Sequence, residues 1–208
     1  MNYPVKRVGT RALIVDLPDL KTVMDFYAAL SASPLEHQTD VVAAARTVLV
    51  TFDSPTATTN AVDVLAGHSP AAADMGTPRD IDIDVRYDGE DVDALATSLG
   101  MSPRELIEWH TSTTWVAAFG GFAPGFTYCV PEDASRALTI PRRDSPRTAV
   151  PAGAVALAGE FSAVYPRTSP GGWQLIGTTA TPMWDSTATP PALVAPGDRV
   201  HYHAAVSY

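Results

Sequence analysis

The chain holds few of the residues that disulfides, zinc sites and phosphate-binding loops require. One of its 208 residues is a cysteine, Cys129, and its lysines are Lys6 and Lys21. A single cysteine cannot form an internal disulfide, and neither lysine follows a glycine as a P-loop lysine does. The patterns G-x-G-x-x-G, G-x-S-x-G and H-E-x-x-H are also absent. These absences exclude the common self-sufficient nucleotide and zinc motifs.

Long apolar runs and positive charge are also scarce. The chain has 14 basic and 23 acidic residues, which gives a formal net charge of −9. Such a chain repels phosphate backbones, so neither nucleic acid nor an anionic membrane is an expected partner. No apolar run approaches the ~20 residues of a membrane-spanning helix, and no charged-then-apolar leader opens the sequence. With the single cysteine, this predicts a cytoplasmic protein.

Hydrophobic residues make up 46% of the chain, and its length fits one large or two small globular domains. Strand and helix patterns alternate over the first ninety residues. The strands are predicted at 12–17, 41–45, 47–52 and 81–87, and the helices at 20–30 and 58–67. This βαββαβ order predicts an α+β, ferredoxin-like domain over residues 1–87.

The remaining residues, 88–208, have a different pattern. A short helix over 91–99 precedes Ser102-Pro103-Arg104-Glu105, which has the form of a capping box and starts a second helix that reaches about Thr113. From Trp115 onward, short apolar segments are separated by turn residues every eight to twelve positions. This spacing predicts an antiparallel β barrel or sandwich.

Three segments of this second half are candidates for a binding site. The first is GGFAPGFTY at 120–128, where glycines permit close approach to the backbone and aromatic rings offer flat apolar walls. A ligand-facing loop and a tightly packed barrel corner both fit it. Its candidate binding residues are Phe122, Pro124, Gly125, Phe126 and Tyr128.

The second segment, PRRDSPRTAVPAG at 141–153, places Arg142, Arg143 and Arg147 close together. Guanidinium groups match the paired oxygens of carboxylate and phosphoryl groups. An anion site and a set of surface salt bridges, with Asp144 neutralising one arginine, are both open interpretations.

The third segment is SPGGWQLIG at 169–177. Gly171 and Gly172 allow a tight turn, after which Trp173 and Gln174 offer an apolar face and an amide. Two interpretations are open: Trp173 and Gln174 line a pocket, or the Trp173 side chain fills the barrel interior.

Four further side chains have alternative interpretations. His110, near the end of the capped helix, is a candidate acid/base or a surface cap. His201 and His203 share one face of a predicted strand, yet no third metal ligand lies near them in sequence, so a polar outer face is favoured over a metal site. Cys129 lies in an apolar strand without a basic neighbour, which indicates a buried, inert thiol.

Together, the three segments resemble the KipI/PxpB family, also called allophanate hydrolase subunit 1. The matching stretches are GFAPGFTY at 121–128, IPRRDSPRTAVPAGAV at 140–155 and YPRTSPGGWQLIG at 165–177. Further matches are ARTVLVTFD at 45–53, YDGEDVDALA at 87–96 and PALVAPGDRV at 191–200. The chain departs from the family at Cys129-Val130-Pro131, at Ile140 and at Glu160-Phe161. These differences would change the shape of the pocket edge and therefore the ligand that it accepts.

The resemblance implies a ferredoxin-like N-terminal domain and a cyclophilin-like C-terminal β barrel. It also implies a subunit of an ATP-dependent 5-oxoprolinase, inactive alone, that opens 5-oxoproline to glutamate with partners of the PxpC/KipA and PxpA types. ATP, with Mg²⁺, is then shared with the partners, and Arg142, Arg143, Arg147 and His110 are the catalytic candidates. Two alternatives follow from relatives: an inhibitor of a sensor histidine kinase, and half of a biotin-dependent carboxyltransferase of the urea amidolyase type. This chain has no biotinyl-lysine motif of its own.

Overall fold

The computed structural model describes residues 2–68 and 77–205. The chain forms two compact units, Met1–Thr77 and Pro78–Tyr208. Among the described residues, no helix is both long and apolar enough to cross a membrane.

The first unit is an antiparallel four-stranded sheet with two helices. Its elements are β1 (Val5–Val8), β2 (Ala12–Asp16), α1 (Leu20–Ala32), β3 (Gln38–Ala43), β4 (Thr47–Phe52) and α2 (Pro55–Gly67). The sheet order is β1-β2-β4-β3. Asp19 caps α1 by accepting a 2.7 Å hydrogen bond from the Thr22 N–H, and α1 buries Val23, Phe26 and Leu30. These elements confirm the predicted strands and helices between residues 12 and 67, while β1 was not predicted.

The second unit contains most of the strands. Its helices are α3 (Val92–Ser98) and α4 (Pro103–Ser112). Its strands are β5 (Asp80–Val85), β6 (Trp115–Gly120), β7 (Thr127–Pro131), β8 (Arg147–Val150), β9 (Ala154–Ala158), β10 (Phe161–Val164), β11 (Ser169–Gly171), β12 (Gln174–Thr178) and β13 (Arg199–Ala204). Seven of them form one sheet in the order β12-β9-β10-β7-β6-β13-β5, and β8 pairs with β11 separately.

The seven-stranded sheet is nearly closed into a barrel. Arg86, just beyond β5, forms an antiparallel bridge with Thr178 at the end of β12, so the two outer strands of the sheet meet. Gly177 makes this approach possible, because a Cβ there would lie 2.5 Å from the carbonyl oxygen of Arg86. The barrel-like sheet and the mixed α and β content are consistent with the expected cyclophilin-like barrel.

The assignment of strand 81–87 to the N-terminal unit was wrong. β5 instead runs parallel to β13, with Ile83 opposite Tyr202, inside the barrel sheet. Its alternation of buried Ile83 and Val85 with exposed Asp82 and Asp84 was correctly predicted, but alternation does not specify the pairing partner. A ferredoxin-like fold for the first unit therefore stays a prediction.

The capping box of α4 is present as predicted. Ser102 Oγ accepts a 3.2 Å hydrogen bond from the Glu105 N–H, and Glu105 accepts a 2.7 Å bond from the Ser102 N–H. Before it, Gly100 takes a positive φ of 71° directly after α3. These two helices lead the chain from β5 into β6.

Candidate functional site

The three motif segments meet around Tyr165 in the second unit. The Tyr165 ring centroid lies 5.2 Å from that of Phe126 and 6.1 Å from that of Phe122. A Cβ on Gly171 would overlap the Tyr165 hydroxyl oxygen, so glycine is required for this contact. The third segment touches the second where the Arg143 N–H donates a 2.8 Å hydrogen bond to the Gly172 carbonyl. Segments separated in sequence thus form one region.

Asp91, just before α3, organises the arginines of this region. One carboxylate oxygen, Oδ1, accepts hydrogen bonds from Arg143 Nη1 at 2.5 Å and from Arg147 Nη2 at 2.9 Å. The other, Oδ2, accepts a 2.7 Å bond from the Leu175 N–H. Glu90 adds a 3.0 Å ion pair to Arg147, although its own side chain is 79% exposed. A buried carboxylate therefore fixes two guanidinium groups against strand β12.

The electrostatics of Asp91 follow from these contacts. Burial acts to raise the pKa of Asp91, but the hydrogen bonds from Arg147 and Leu175 and the charges of Arg147 and Arg143 lower it below its ordinary value. The hydrogen bond that Arg147 donates to Asp91 also raises the pKa of Arg147. Both groups are charged at neutral pH. Two donor atoms of the cluster, Arg143 Nε and Arg147 Nη1, are buried without an acceptor among the described residues.

A pocket of about 460 Å³ lies beside this network. It is lined by Asp91 and one face of α3, by the loop 141–145 and by Gln174. Gln174 Nε2 donates a 3.0 Å hydrogen bond to the Pro141 carbonyl, which pins the loop to β12. The pocket thus has polar walls that backbone and side-chain hydrogen bonds hold in place.

The predicted arginines divide into two kinds. Arg143 and Arg147 are ion-paired with Asp91, whereas Arg142 is exposed and has no ion-pair partner among the described residues. The charge of Arg142 acts on the hydroxyl groups of Tyr128 and Tyr165, although burial still raises the pKa of both. Of the two open interpretations, salt bridges are present for Arg143 and Arg147, but the carboxylates that hold them are Asp91 and Glu90 and not Asp144.

The loop 121–126 presents Phe122 to solvent through two tight turns. The Ala123 N–H donates a 2.7 Å hydrogen bond to the Gly121 carbonyl across Phe122, whose φ is +65°. This is a γ-turn with positive φ, the rarer and strained form. Pro124 and Gly125 (φ +81°) then form the centre of a β-turn closed by a 2.9 Å bond from the Phe126 N–H to the Ala123 carbonyl. Phe122 stays 58% exposed, while Phe126 is buried.

Trp173 is buried, but in a cluster with Leu175 that is separate from the cluster to which all seven strands of the barrel sheet contribute, so it does not fill the barrel interior as one interpretation had it. Its ring makes edge contacts with Phe126 at 5.5 Å and with Tyr128 at 5.6 Å between centroids. Of the third segment, Gln174 is the residue that lines the 460 Å³ pocket. Gly172 lies against Pro146 in ordinary contact.

His110 is fully buried, so its interpretation as a surface cap was wrong. Its Nδ1 lies 2.7 Å from the Tyr87 hydroxyl, its Nε2 lies 2.9 Å from Ser162 Oγ, and its ring stacks on Tyr202 at 4.3 Å. Burial lowers the pKa of His110 to about 3, so the ring is neutral at pH 7. The structure does not place His110 among the residues that line the arginine pocket.

The remaining candidates lie outside the pocket. His201 Nε2 is 2.8 Å from Asp80 Oδ1 and His203 Nε2 is 2.6 Å from Asp82 Oδ1, which forms two separate pairs between β13 and β5. No group of three or more metal-ligating side chains occurs in the described part of the chain. Cys129 is buried, as predicted, and burial raises the pKa of its thiol to about 12, which keeps the thiol protonated at neutral pH.

Two residues of the region were missed from sequence. Asp91 precedes a helix, where an aspartate ordinarily caps the helix, but its side chain makes no capping bond. Its partners Arg143 and Arg147 lie 52 and 56 residues away, so no local signal was available. Tyr165 is part of the stretch 165–177 that resembles the family, but it was not singled out. The one signal in the sequence was Gly171, because a glycine at a turn can indicate that another side chain packs against it.

Comparisons with known proteins show the family of the chain. The family profile described as "Carboxyltransferase domain, subdomain C and D" matches residues 3–194. The chain is 42% identical over 129 residues to a 5-oxoprolinase subunit of Escherichia coli O157:H7, a match covering 60% of this chain and 57% of that protein. It is 40% identical over 127 residues to the corresponding 5-oxoprolinase subunit of Bacillus subtilis (strain 168), covering 60% and 52%.

Similarity in structure extends over more of the chain. The crystal structure of TTHA0988 superposes with a TM-score of 0.76 at 30% identity, over 95% of this chain and 40% of that one. The chain spans little more than half the length of the curated relatives it matches. By its profile match over most of its length, the chain belongs to the carboxyltransferase-domain family of subdomains C and D, of the KipI/PxpB type.

Proposed function

We propose that the chain is a subunit of an ATP-dependent 5-oxoprolinase, which hydrolyses 5-oxoproline to glutamate together with partners of the PxpC/KipA and PxpA types. The observation that carries this proposal is the convergence of the three family segments around Tyr165 and Asp91, beside a polar pocket. The names of the relatives supply the substrate. The expected cytoplasmic location belongs to the same proposal.

Opening a lactam is difficult because an amide resists attack by water until its oxygen is activated. The site is held in place before a ligand arrives, because Asp91 fixes the guanidinium groups of Arg143 and Arg147, which lie in and just after the loop that carries Arg142. Phe122 and Tyr128 offer apolar surface in the same region as Arg142. In this proposal the arginines and the aromatic loop bind and orient the substrate.

The described residues do not fit ATP as a resident group of this chain alone. Two of the three arginines already face carboxylates, and no lysine occurs after residue 21. A triphosphate with Mg²⁺ is held elsewhere by lysine, glycine-rich backbone and carboxylate ligands. We therefore expect the nucleotide to be supplied by the partner subunits, which makes the chain inactive alone.

The experiment is reconstitution of the complex, followed by assay of 5-oxoproline-dependent ATP hydrolysis. Arg142→Ala and Trp173→Ala should each lower turnover, and loss of a guanidinium that stabilises reacting charge should reduce it roughly 10²-fold. Arg167→Ala is the matched control, because Arg167 is an exposed arginine of the same unit outside the pocket.

Unchanged turnover in the Arg142 and Trp173 variants would contradict the site. A complex with no 5-oxoproline-dependent turnover would contradict the function. Inhibition of a sensor histidine kinase, or transfer of a carboxyl group from biotin, would then be the activity to assay.

A further inference from the structure

We infer that the pocket formed by α3, the 141–145 loop and Gln174 binds a small monoanionic carboxylate that carries an N–H group, and that it does not bind nucleotide phosphates. This deepens the proposed function, on which it rests, by assigning the pocket to the 5-oxoproline side of the reaction.

Two carboxylates beside the pocket, those of Asp91 and Glu90, already pair with two of its guanidinium groups. Arg143 and Arg147 both donate to Asp91, and Arg147 also pairs with Glu90. Asp91 is 6% exposed and accepts three hydrogen bonds, so a ligand cannot easily displace it. One guanidinium, that of Arg142, remains without an ion-pair partner in the part of the chain that the structure describes.

One unpaired guanidinium fits one carboxylate. The planar guanidinium offers two parallel N–H donors, which match the two oxygens of a carboxylate. A polyphosphate carries several negative charges, and Asp144 on the pocket wall, which forms no ion pair with any described residue, would repel them. The second unit contains no lysine to offset this repulsion.

The same loop also offers an acceptor. Asp144 lines the pocket two residues after Arg142, yet no ion pair joins the two among the described residues. The loop between them is fixed, because the Arg143 N–H bonds to the Gly172 carbonyl and its side chain is held by Asp91. A cation and an anion of one loop that do not pair with each other suit a ligand that carries a carboxylate and an N–H donor side by side.

5-Oxoproline has both groups, a carboxylate and a lactam N–H. Ser98, Ser145 and the Gln174 amide add neutral polar groups to the lining of the pocket. We assign the substrate carboxylate to Arg142 and the lactam N–H to Asp144.

The test measures the KM for 5-oxoproline and the KM for ATP separately in the reconstituted complex. Arg142→Gln and Asp144→Asn should each raise the KM for 5-oxoproline, by about tenfold or more for the arginine, and leave the KM for ATP within about twofold. Arg167→Gln should change neither constant. For 5-oxoprolinamide, whose carboxylate is replaced by a neutral amide, Arg142→Gln should have no effect on the KM or on the inhibition constant.

A rise in the KM for ATP alone would overturn the inference, and so would unchanged constants for both ligands. Calorimetric titration of the complex with 5-oxoproline and with Mg·ATP separates this result from failure of the proposed function. If the complex shows no turnover, loss of 5-oxoproline binding in Arg142→Gln still supports the inference. Loss of ATP binding in that variant, or no 5-oxoproline binding by the wild-type complex, overturns it.

Discussion

Nη1 of Arg143 lies 2.5 Å from Oδ1 of Asp91, a carboxylate 52 residues earlier in the chain. The same oxygen accepts from Arg147, and the second oxygen accepts from the backbone of β12. Because the carboxylate is buried and makes no bond to its own helix, its contacts are with the arginine loop and the barrel. The fold and the site therefore depend on one side chain, and substitutions there test both.

Asp91→Asn should destabilise the second unit. The substitution leaves two guanidinium groups without their buried partner, and breaking such a pair typically costs about 3 to 5 kcal/mol. Thermal unfolding followed by circular dichroism measures the loss. Glu90→Gln is the control, because Glu90 is 79% exposed and its pair should contribute less than about 1 kcal/mol. Equal effects of the two substitutions would contradict the assigned role of Asp91.

His110 should make stability depend on pH. Its pKa is about 3 in the folded chain and about 6.5 when solvated, so the folded state disfavours protonation. Its stabilising contribution is present above pH 6.5 and is lost as the pH falls toward 3, by about 3 kcal/mol at pH 4.5. Denaturant unfolding at pH 7 and pH 4.5 measures this change. His110→Gln should show a smaller difference between the two pH values, and an equal difference would contradict the prediction.

Gly177→Ala should weaken closure of the barrel. A Cβ at this position would lie 2.5 Å from the Arg86 carbonyl oxygen and 2.7 Å from a Val85 methyl group, so backbone must move. We expect a loss of about 1 to 3 kcal/mol in the free energy of unfolding. Gly120→Ala serves as the control, since its Cβ would find the nearest atom at 3.8 Å. A Gly177 variant as stable as the control would show that the junction between the ends of β5 and β12 tolerates a side chain.

Phe122→Gly should separate stability from function. Glycine removes the strain of a positive φ, about 1 to 2 kcal/mol, in exchange for ring contacts made by a mostly exposed side chain. We expect an unchanged or higher melting temperature together with lower 5-oxoproline-dependent turnover of the complex. Phe126→Ala, which empties a buried position, should instead lower the melting temperature markedly. Full activity of Phe122→Gly would show that the Phe122 ring does not contribute to substrate binding or turnover.

Local signals were sufficient for some elements and insufficient for others. The capping box of α4 depends on contacts three residues apart and was predicted in full. The strand character of β5 was predicted from alternation, but its partner β13 begins far along the chain: His201 meets Asp80 across 121 residues. Pairing at that separation leaves no periodic trace in either segment, so the strand was assigned to the wrong sheet.

The site shows the same division. The arginine segment and the glycine turns were recognisable because several special residues occur together within one stretch. Asp91 is one of several acidic residues at the start of α3, and what distinguishes it from them is burial, which depends on the folded barrel. His110 was misread for the same reason: a residue near a helix end is exposed only if nothing packs over it, and here Tyr202 does.

The parallel pairing of β5 with β13 has a consequence for how the second unit is made. β5 is the first strand of this unit, and it pairs with β13, the last strand that the structure describes. The sheet therefore stays incomplete until residues 199–204 have been synthesised. Such distant pairings slow folding and prolong exposure of apolar edges. The nascent barrel thus keeps the edge of β5 unpaired until β13 has been synthesised.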